Sequence, residues 1–457
     1  MRCLITACCL LIFFHPAAAQ GEEKVLTLDT LWDIVSRNHP MARQAALLPE
    51  LGRLEVQRAR GNFDPNINSG YNRKEFQDEV YYGFFQNEIK IPLWIGEVKA
   101  GYDFAYGSRV NDESFIKNNG QGSVTVALPI IRNWVTDYRR TELGKAKVFA
   151  GMTEEERRMN LNALFLESGL AWYQWCAAYE QLKILNRSVQ LGEERLNLVR
   201  QAVQFGDRPA IDTAEAWMIL QDRMYWREQA ELEWRNSMLE LGNFLWDTDG
   251  RPLYPAPNTR PPDRVIWQTT AGESVQDSLN NPELNLARLK IRMLDLDRLL
   301  KRENLRPDIK VETGYLWQPS PGNGRQVDQN YKIGLSLQMP LLFLRPAAEY
   351  RQMKIKVQQA KLEWELKRQY TENKVSAVRN EVNTLQNQIG LMNGQFGYVR
   401  QLWEGEETRL RNGESSLFLV NARETKMLEV ELKQLMLYQK VQGTRLKLRN
   451  VLGNVQP

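Results

Sequence analysis

The chain has 457 residues, and its 60 basic and 56 acidic side chains leave a formal charge of only +4. Lys and Arg are interspersed with Glu through helical patterns, which excludes the basic stripe of a nucleic-acid binder. Beyond the N-terminal segment no apolar run reaches the ~18 residues a spanning helix needs, so a membrane crossing is open only to a closed barrel of strands.

Residues 1–19 read as a secretory signal: Arg2, an apolar run over 3–14, then Ala17-Ala18-Ala19, with cleavage expected after Ala19. The run is short for a membrane anchor. A lipoprotein cut before Cys8, in Ile5-Thr6-Ala7-Cys8, is the alternative, and the plain signal is favoured because that cut leaves few apolar residues ahead of it. Cleavage removes Cys3, Cys8, Cys9 and His15, and the mature chain keeps Cys176 and His39. Such a chain forms no disulfide within a protomer and no Cys/His zinc site, and a Ser-His or Cys-His arrangement has only His39 to draw on. No enzyme activity, cofactor or metal is expected. His39 stands before Pro40 near the start of a helix, without a catalytic partner in view.

The first half (20–250) opens with a helix over 28–60. Four strands follow within 63–131, the clearest being Val98, Ala100, Tyr102, Phe104 and Tyr106 alternating with Glu97, Lys99, Gly101 and Asp103. A proline-free helix over 139–204 comes next, and beyond a break at Gly206 a return helix spans 211–243. Asp247-Thr248-Asp249-Gly250 has the look of a calcium loop, but the required glutamate is missing and a turn is expected. Residues 251–273 are a proline-rich link.

The second half (274–457) repeats the order: a helix to about 304, two strands within 308–341, a long helix over 346–411, a break at Gly413 and a return helix over 418–452. Asn38 and Pro40 are echoed by Asn280 and Pro282, Pro65 by Pro307, Pro129 by Pro340 and Gly206 by Gly413. The spacing drops between the second and third pairs. The first half therefore carries an extra segment between Tyr71 and Pro129, and two additional strands, a hairpin, keep the chain's direction. Val375, Val378, Val382, Leu385, Ile389, Met392, Phe396, Val399 and Trp403 are spaced 3, 4, 3, 4, the seam of supercoiled neighbours. Cys176 lies on an apolar helical stripe and reads as a core residue.

The signal, the twofold helix–strands–helix unit, the proline closing each strand set and the glycine-marked turns resemble the TolC-type outer-membrane factors. This resemblance implies a mixed fold, in which long antiparallel coiled-coil helices form a periplasmic α-barrel in a homotrimer, below a shared transmembrane β-barrel. It implies a passive exit duct in the bacterial outer membrane for tripartite efflux or type I secretion, docked at its helical tip to a periplasmic adaptor and an inner-membrane transporter. Six strands per protomer give a barrel of eighteen and four give twelve, with six favoured. The tip candidates are Gly206, Asp207, Arg208, Asp212, Gly413 and Glu414. Gly206 and Asp212 keep the family's spacing with Ala216 at a small position, whereas Leu419 stands where the second turn would carry an acid. Asp212 suits a helix cap as well as a gate, and Glu414 a cap more than a gate. Trp94, Trp134 and Trp317 border strands and are candidates for the membrane interface, while Trp172, Trp175, Trp226 and Trp234 suit packing. The alternative is a periplasmic coiled-coil scaffold without a barrel, whose sheet needs one helix-covered face.

Overall fold

A computed structural model describes residues 24–110, 120–256, 258–267, 280–318 and 330–454. The expected signal over 1–19, the outer part of the link (268–273) and the start of the second half (274–279) lie outside the described residues.

The elements run β1 (Lys24–Val25), α1 (Leu28–Asn38), α2 (Pro40–Arg60), β2 (Asn66–Phe76), β3 (Glu79–Pro92), β4 (Glu97–Tyr106), β5 (Gln121–Pro129), α3 (Tyr138–Gln204) and α4 (Ile211–Gly242). They continue with β6 (Thr259–Arg260), α5 (Pro282–Glu303), β7 (Asp308–Trp317), β8 (Asn330–Gln338), α6 (Leu344–Arg411) and α7 (Leu417–Leu452).

One expectation about the leading helices needs correction. The helix over 28–60 is two helices, because Pro40 drives the residue before it out of the helical region, and His39 sits at φ −62°, ψ 133°. The break is well capped: His39 Nδ1 accepts the Met41 N–H at 3.2 Å, and Pro40, which has no N–H to satisfy, opens α2. In the second half α5 begins with the same device at Pro282, where the Asn281 side chain accepts the Glu283 N–H at 2.8 Å. The first strand also starts later than Phe63, which lies in a 3₁₀ turn (Gly61–Phe63).

Six strands form one antiparallel sheet in the order β2-β3-β4-β5-β7-β8, so the extra hairpin belongs to it. Its register carries the alternation of each strand across the whole sheet. One row runs Ile67, Ile89, Ala100, Val124, Tyr315, Tyr331, and the next on that face runs Ile91, Val98, Val126, Thr313, Ile333. The opposite face runs Lys90, Lys99, Thr125, Gly314, Lys332, and beside it Glu97, Ala127, Glu312, Gly334. There Lys90 pairs with Glu97 at 2.8 Å, and Lys99 reaches Glu97 at 3.4 Å and Glu312 at 3.2 Å. Neither face of the edge strands is covered: β2 is exposed along its length, and Tyr331, Ile333, Leu335 and Leu337 on β8 are 62–73% exposed.

Among the described residues the β2–β3 hairpin extends furthest from the helices. The last described pair of the β7–β8 ladder, Leu316 opposite Asn330, lies in the row that crosses β2 at Asn68, and β2 continues to Phe76. A register shift at Lys74/Glu75 precedes its turn, where Gln77 and Asp78 take positive φ of 54° and 58°, the twist a tight hairpin favours.

An even number of strands in each half returns the chain to the side it came from, so α3 and α6 both run away from the sheet. With 67 and 68 residues, each is about 100 Å long at ~1.5 Å per residue. Both α2 and α4 lie along α3, while α5 and α7 fill the space between α3 and α6. The main core sits at mid-height, around Trp172, Trp175, Cys176, Leu185, Leu241 and Leu435. Trp32 and Trp172 are buried with their indole N–H groups donated to the carbonyls of Phe165 and Leu26, at 3.2 and 3.1 Å. Burial pushes the Cys176 thiol well above its ordinary pKa, which makes it an unreactive packing residue. The link is anchored to this level by β6, which pairs with β1, and by the buried Ile266. Residues 247–250 form a turn, with Gly250 at φ +81°. Val375, Val382, Leu385 and Ile389 of the α6 seam are buried against α7, and Met392, Phe396, Val399 and Trp403 are half-buried.

Between this core and the far end lies a buried ionic cluster. Glu424 of α7 receives Arg223 of α4 at 2.9 Å and Arg195 of α3 on its other oxygen, and Arg223 also donates to the Ser188 carbonyl at 3.1 Å. Arg223 and Glu424 are each only 3% exposed. Breaking a buried pair from one side leaves the other charge unmatched. Glu424→Gln is therefore expected to destabilise the helical part by about 3–5 kcal/mol, read as a lower urea midpoint by circular dichroism at 222 nm; an unchanged midpoint would show that the cluster contributes nothing.

Candidate functional site at the helical tip

Both long helices end in the same turn. After α3, the Asp207 N–H bonds the Ala202 carbonyl at 2.9 Å and the Gly206 N–H bonds Val203 at 3.1 Å, with Gly206 at φ +80°. After α6, the Glu414 N–H bonds Arg409 at 2.9 Å and the Gly413 N–H bonds Leu410 at 3.1 Å, with Gly413 at φ +79°. This is the Schellman arrangement, which satisfies the last carbonyls of a helix and needs a left-handed residue at its hinge. The two turns share one end of the molecule, because Val199 of α3, Ala216 of α4 and Leu417 of α7 pack in one small core.

The turns diverge in what they present. In the first, Arg208 meets Asp212 at 3.3 Å, Asp212 lies in the first turn of α4, and Ala210 at the cap position makes no side-chain bond. Asp212 therefore faces a cation and the positive end of a helix together. Asp207 is exposed, and Phe205 stands 81% exposed. In the second, Ser416 caps α7 by accepting the Leu419 N–H at 3.4 Å, Ser415 is hydrogen-bonded to Glu406, and Glu414 points to solvent among exposed Phe418 and Leu419. An open groove of about 370 Å³ separates the two coiled-coil pairs, lined by Leu198, Arg208, Leu410, Arg411 and Leu417. The structure thus brings Arg208 and Asp212 into contact and places Gly206 and Gly413 at equivalent hinges. The charged cluster at Glu424 was missed from sequence. A signal for it exists, since Glu424 stands at helical spacing with the buried Leu417, Val420 and Leu428.

The tryptophans near the strands divide between the two ends of the sheet. Trp94 lies in the β3–β4 turn, stacked on Phe63 with ring centroids 5.9 Å apart, and Trp134 lies between β5 and α3. Trp317 closes β7 at the opposite end, stacked on Tyr315 at 6.1 Å. Among the described residues no helix is long and apolar enough to cross a membrane, and no group of three His, Cys, Asp or Glu side chains is placed to hold a metal ion.

Residues 275–454 match the model of the outer membrane efflux protein family. Among solved structures, the open state of the MtrE outer membrane channel of Neisseria gonorrhoeae superposes with a TM-score of 0.64 at 16% identity, over 93% of this chain and 89% of that one. The CmeC outer membrane channel of Campylobacter jejuni gives 0.62 at 12% identity, over 93% and 85%. The outer membrane protein VceC of Vibrio cholerae gives 0.62 at 12% identity, over 93% and 96%. No match was found among curated protein sequences. The likeness to TolC-type channels thus holds for the family signature of the second half and for the fold of almost the whole chain.

No atom lies within 4 Å of where a Cβ would sit at Gly206 or Gly413, so the cost of a side chain there is conformational alone. Gly206→Val and Gly413→Val are each expected to cost about 1–2 kcal/mol, seen as faster amide exchange in the last turns of α3 or α6 with exchange at mid-height unchanged.

Proposed function

We propose that this chain, which carries the outer membrane efflux protein signature in its second half, is the channel subunit of a bacterial efflux or type I secretion system. It resides in the outer membrane with its helices in the periplasm. The observation that carries this reading is the six-stranded sheet with two unlike, uncovered faces and two unpaired edges. In hydrocarbon every backbone N–H and C=O needs a partner, and β2 and β8 find theirs only on neighbouring copies. The strands, nine to fourteen residues long, match the nine to eleven a tilted barrel strand needs to span a bilayer. Apolar rows then face lipid and the Lys/Glu rows a wet lumen. Three copies give eighteen strands. A scaffold's sheet would bury one face under helices, and this one does not.

The helices support the same closure. Among them α4 and α6 are the outermost members of the layer. On α4, Ile211, Met218, Tyr225, Leu232 and Leu239 stand seven apart and are 52–71% exposed, a heptad seam with no partner in its own chain. On α6, Ile355, Leu362, Leu366 and Tyr370, and further along Leu391 and Tyr398, are exposed as well. Pairing the α4 edge of one copy with the α6 edge of the next buries both and closes a tube.

In this reading the signal over 1–19 directs export, and residues 20–250 and 274–457 are two structural repeats joined by the link at 251–273. Trp94 and Trp134 mark the periplasmic rim and Trp317 the outer one. The tip, with Gly206, Asp207, Arg208, Asp212, Gly413 and Glu414, meets the adaptor through its grooves and narrows the pore, while an inner-membrane transporter supplies the energy. The duct itself carries out no catalysis and binds no cofactor.

A mass measurement of the mature chain in detergent is expected to give a trimer, and the double substitution Tyr225→Glu, Leu232→Glu a monomer; a wild-type monomer soluble without detergent would remove the channel. In planar bilayers Asp212→Ala, which releases Arg208, is expected to raise the mean conductance, and an unchanged conductance makes a gating role for Asp212 untenable.

A further inference from the structure

Where the polar face of the sheet meets the helices, a cavity of about 480 Å³ is lined by five cationic side chains, Lys90, Arg132, Arg139, Lys301 and Lys310, against the carboxylates of Glu97 and Asp137. We infer that this corner binds multiply charged oxyanions, such as phosphate, sulfate or clustered carboxylate groups. Its position in the pore wall rests on the channel reading above. The chemistry rests on the cavity alone.

The charges come from elements that the fold brings together and the sequence keeps far apart: β3 and β7 on the sheet, the β5–α3 connection, and the C-terminal turn of α5. Their local carboxylates are shared or distant. Asp308 stands 3.9 Å from Arg132 and 3.8 Å from Lys310, outside hydrogen-bonding range of both. Asp137 is divided between Arg139 at 3.5 Å and Arg140 at 3.4 Å, and one of its oxygens is already committed to capping α3 through the Arg140 N–H at 2.8 Å. Lys90 and Lys301 have closer partners, Glu97 and Glu349, each at 2.8 Å. Arg132 donates from one nitrogen to Asn304 Oδ1 at 2.8 Å, and its Nε is buried without an acceptor. The Arg132 side chain as a whole is 31% exposed and lines the cavity. Its planar fork suits two oxygens of one anion.

The volume falls within the range of small-ligand sites. Its sheet wall is made of the rows that carry Lys90, Lys310, Glu97 and Ala127, all on the polar face, so the anion comes from the pore solution and not from lipid. Threefold repetition sets one such corner in each protomer at a single level of the duct. Repeated around the duct, the lysine and arginine donors of each corner offer anions a set of local sites. The inference assigns the cargo a chemistry: solutes bearing phosphate, sulfate or several carboxylates pass this level more readily than cations.

The test uses the full-length protein in detergent and inorganic pyrophosphate as probe, followed by titration calorimetry. About one site per chain is expected. Arg132→Gln is expected to weaken binding about tenfold or more, the worth of a hydrogen bond to a charged group. Lys90→Gln with Lys310→Gln, which leaves the Arg132–Asp308 contact in place, guards against misfolding and is expected to do the same. Lys290→Gln, elsewhere on α5, should bind as wild type. A trimer that takes up no pyrophosphate, or takes it up equally well in both variants, overturns the site and leaves the channel standing. A detergent-free monomer overturns the channel, and with it the placing of this corner in a pore.

Discussion

A strand in hydrocarbon can satisfy its backbone only with another strand, and in the proposed channel that constraint organises the rest of the molecule. One chain supplies six strands and leaves two edges open, with an apolar face on one side and a face of lysines, glutamates and glycines on the other. In the channel proposed above, closure among copies answers both problems at once. It removes the edges, and it puts each face in the solvent it suits. The even strand count in each half follows from the same need, since it sends both long helices off in one direction. The stalk is therefore a continuation of the wall rather than a separate domain.

The stalk meets the same requirement with different chemistry. A single layer of helices has two broad faces and two edges, and only part of that surface is buried within one chain. The core is thickest at mid-height, where the link and the N-terminal strand add a second layer, and it thins towards the tip. There the chain uses charge where it lacks apolar bulk. Glu424, held between two arginines from two other helices, fixes the relation between the coiled-coil pairs, while the Schellman turns beyond it are held mainly by their own backbone.

Much of this could be read from the residues. Period-two alternation in Tyr331, Ile333, Leu335 and Leu337 needs no tertiary context, and neither does a 3–4 seam such as Val375 to Ile389, because each states which side of its own element is apolar. The turns at Gly206 and Gly413 were equally plain, since the hinge of a Schellman turn favours glycine. What escaped was whatever depends on partners distant in sequence. The break at His39 was masked because Trp32, Val35, Ala42 and Ala45 keep helical spacing across it, and only the proline rule revealed it. Glu424 and Arg223 cancel in any count of charge, and the one trace in the sequence is that Glu424 shares the helical spacing of Leu417, Val420 and Leu428. The cationic corner draws on four separate segments, and no spacing along the chain brings them together. The membership of all six strands in one sheet was also settled only by register.

The β2–β3 hairpin has a consequence for the outer face of the proposed channel. From Asn68 it runs on for eight residues to Phe76, some 27 Å at ~3.4 Å per residue. Tyr71 and Tyr106 share a hydrogen bond near its base at 2.9 Å, and Lys74 and Arg109 lie over the Tyr81 ring higher up. In the threefold assembly proposed above, three such spurs stand at the mouth and offer their tyrosine, lysine and arginine side chains to an approaching molecule. Substitutions along their crests alter what the cell shows to its surroundings and leave the masonry below undisturbed.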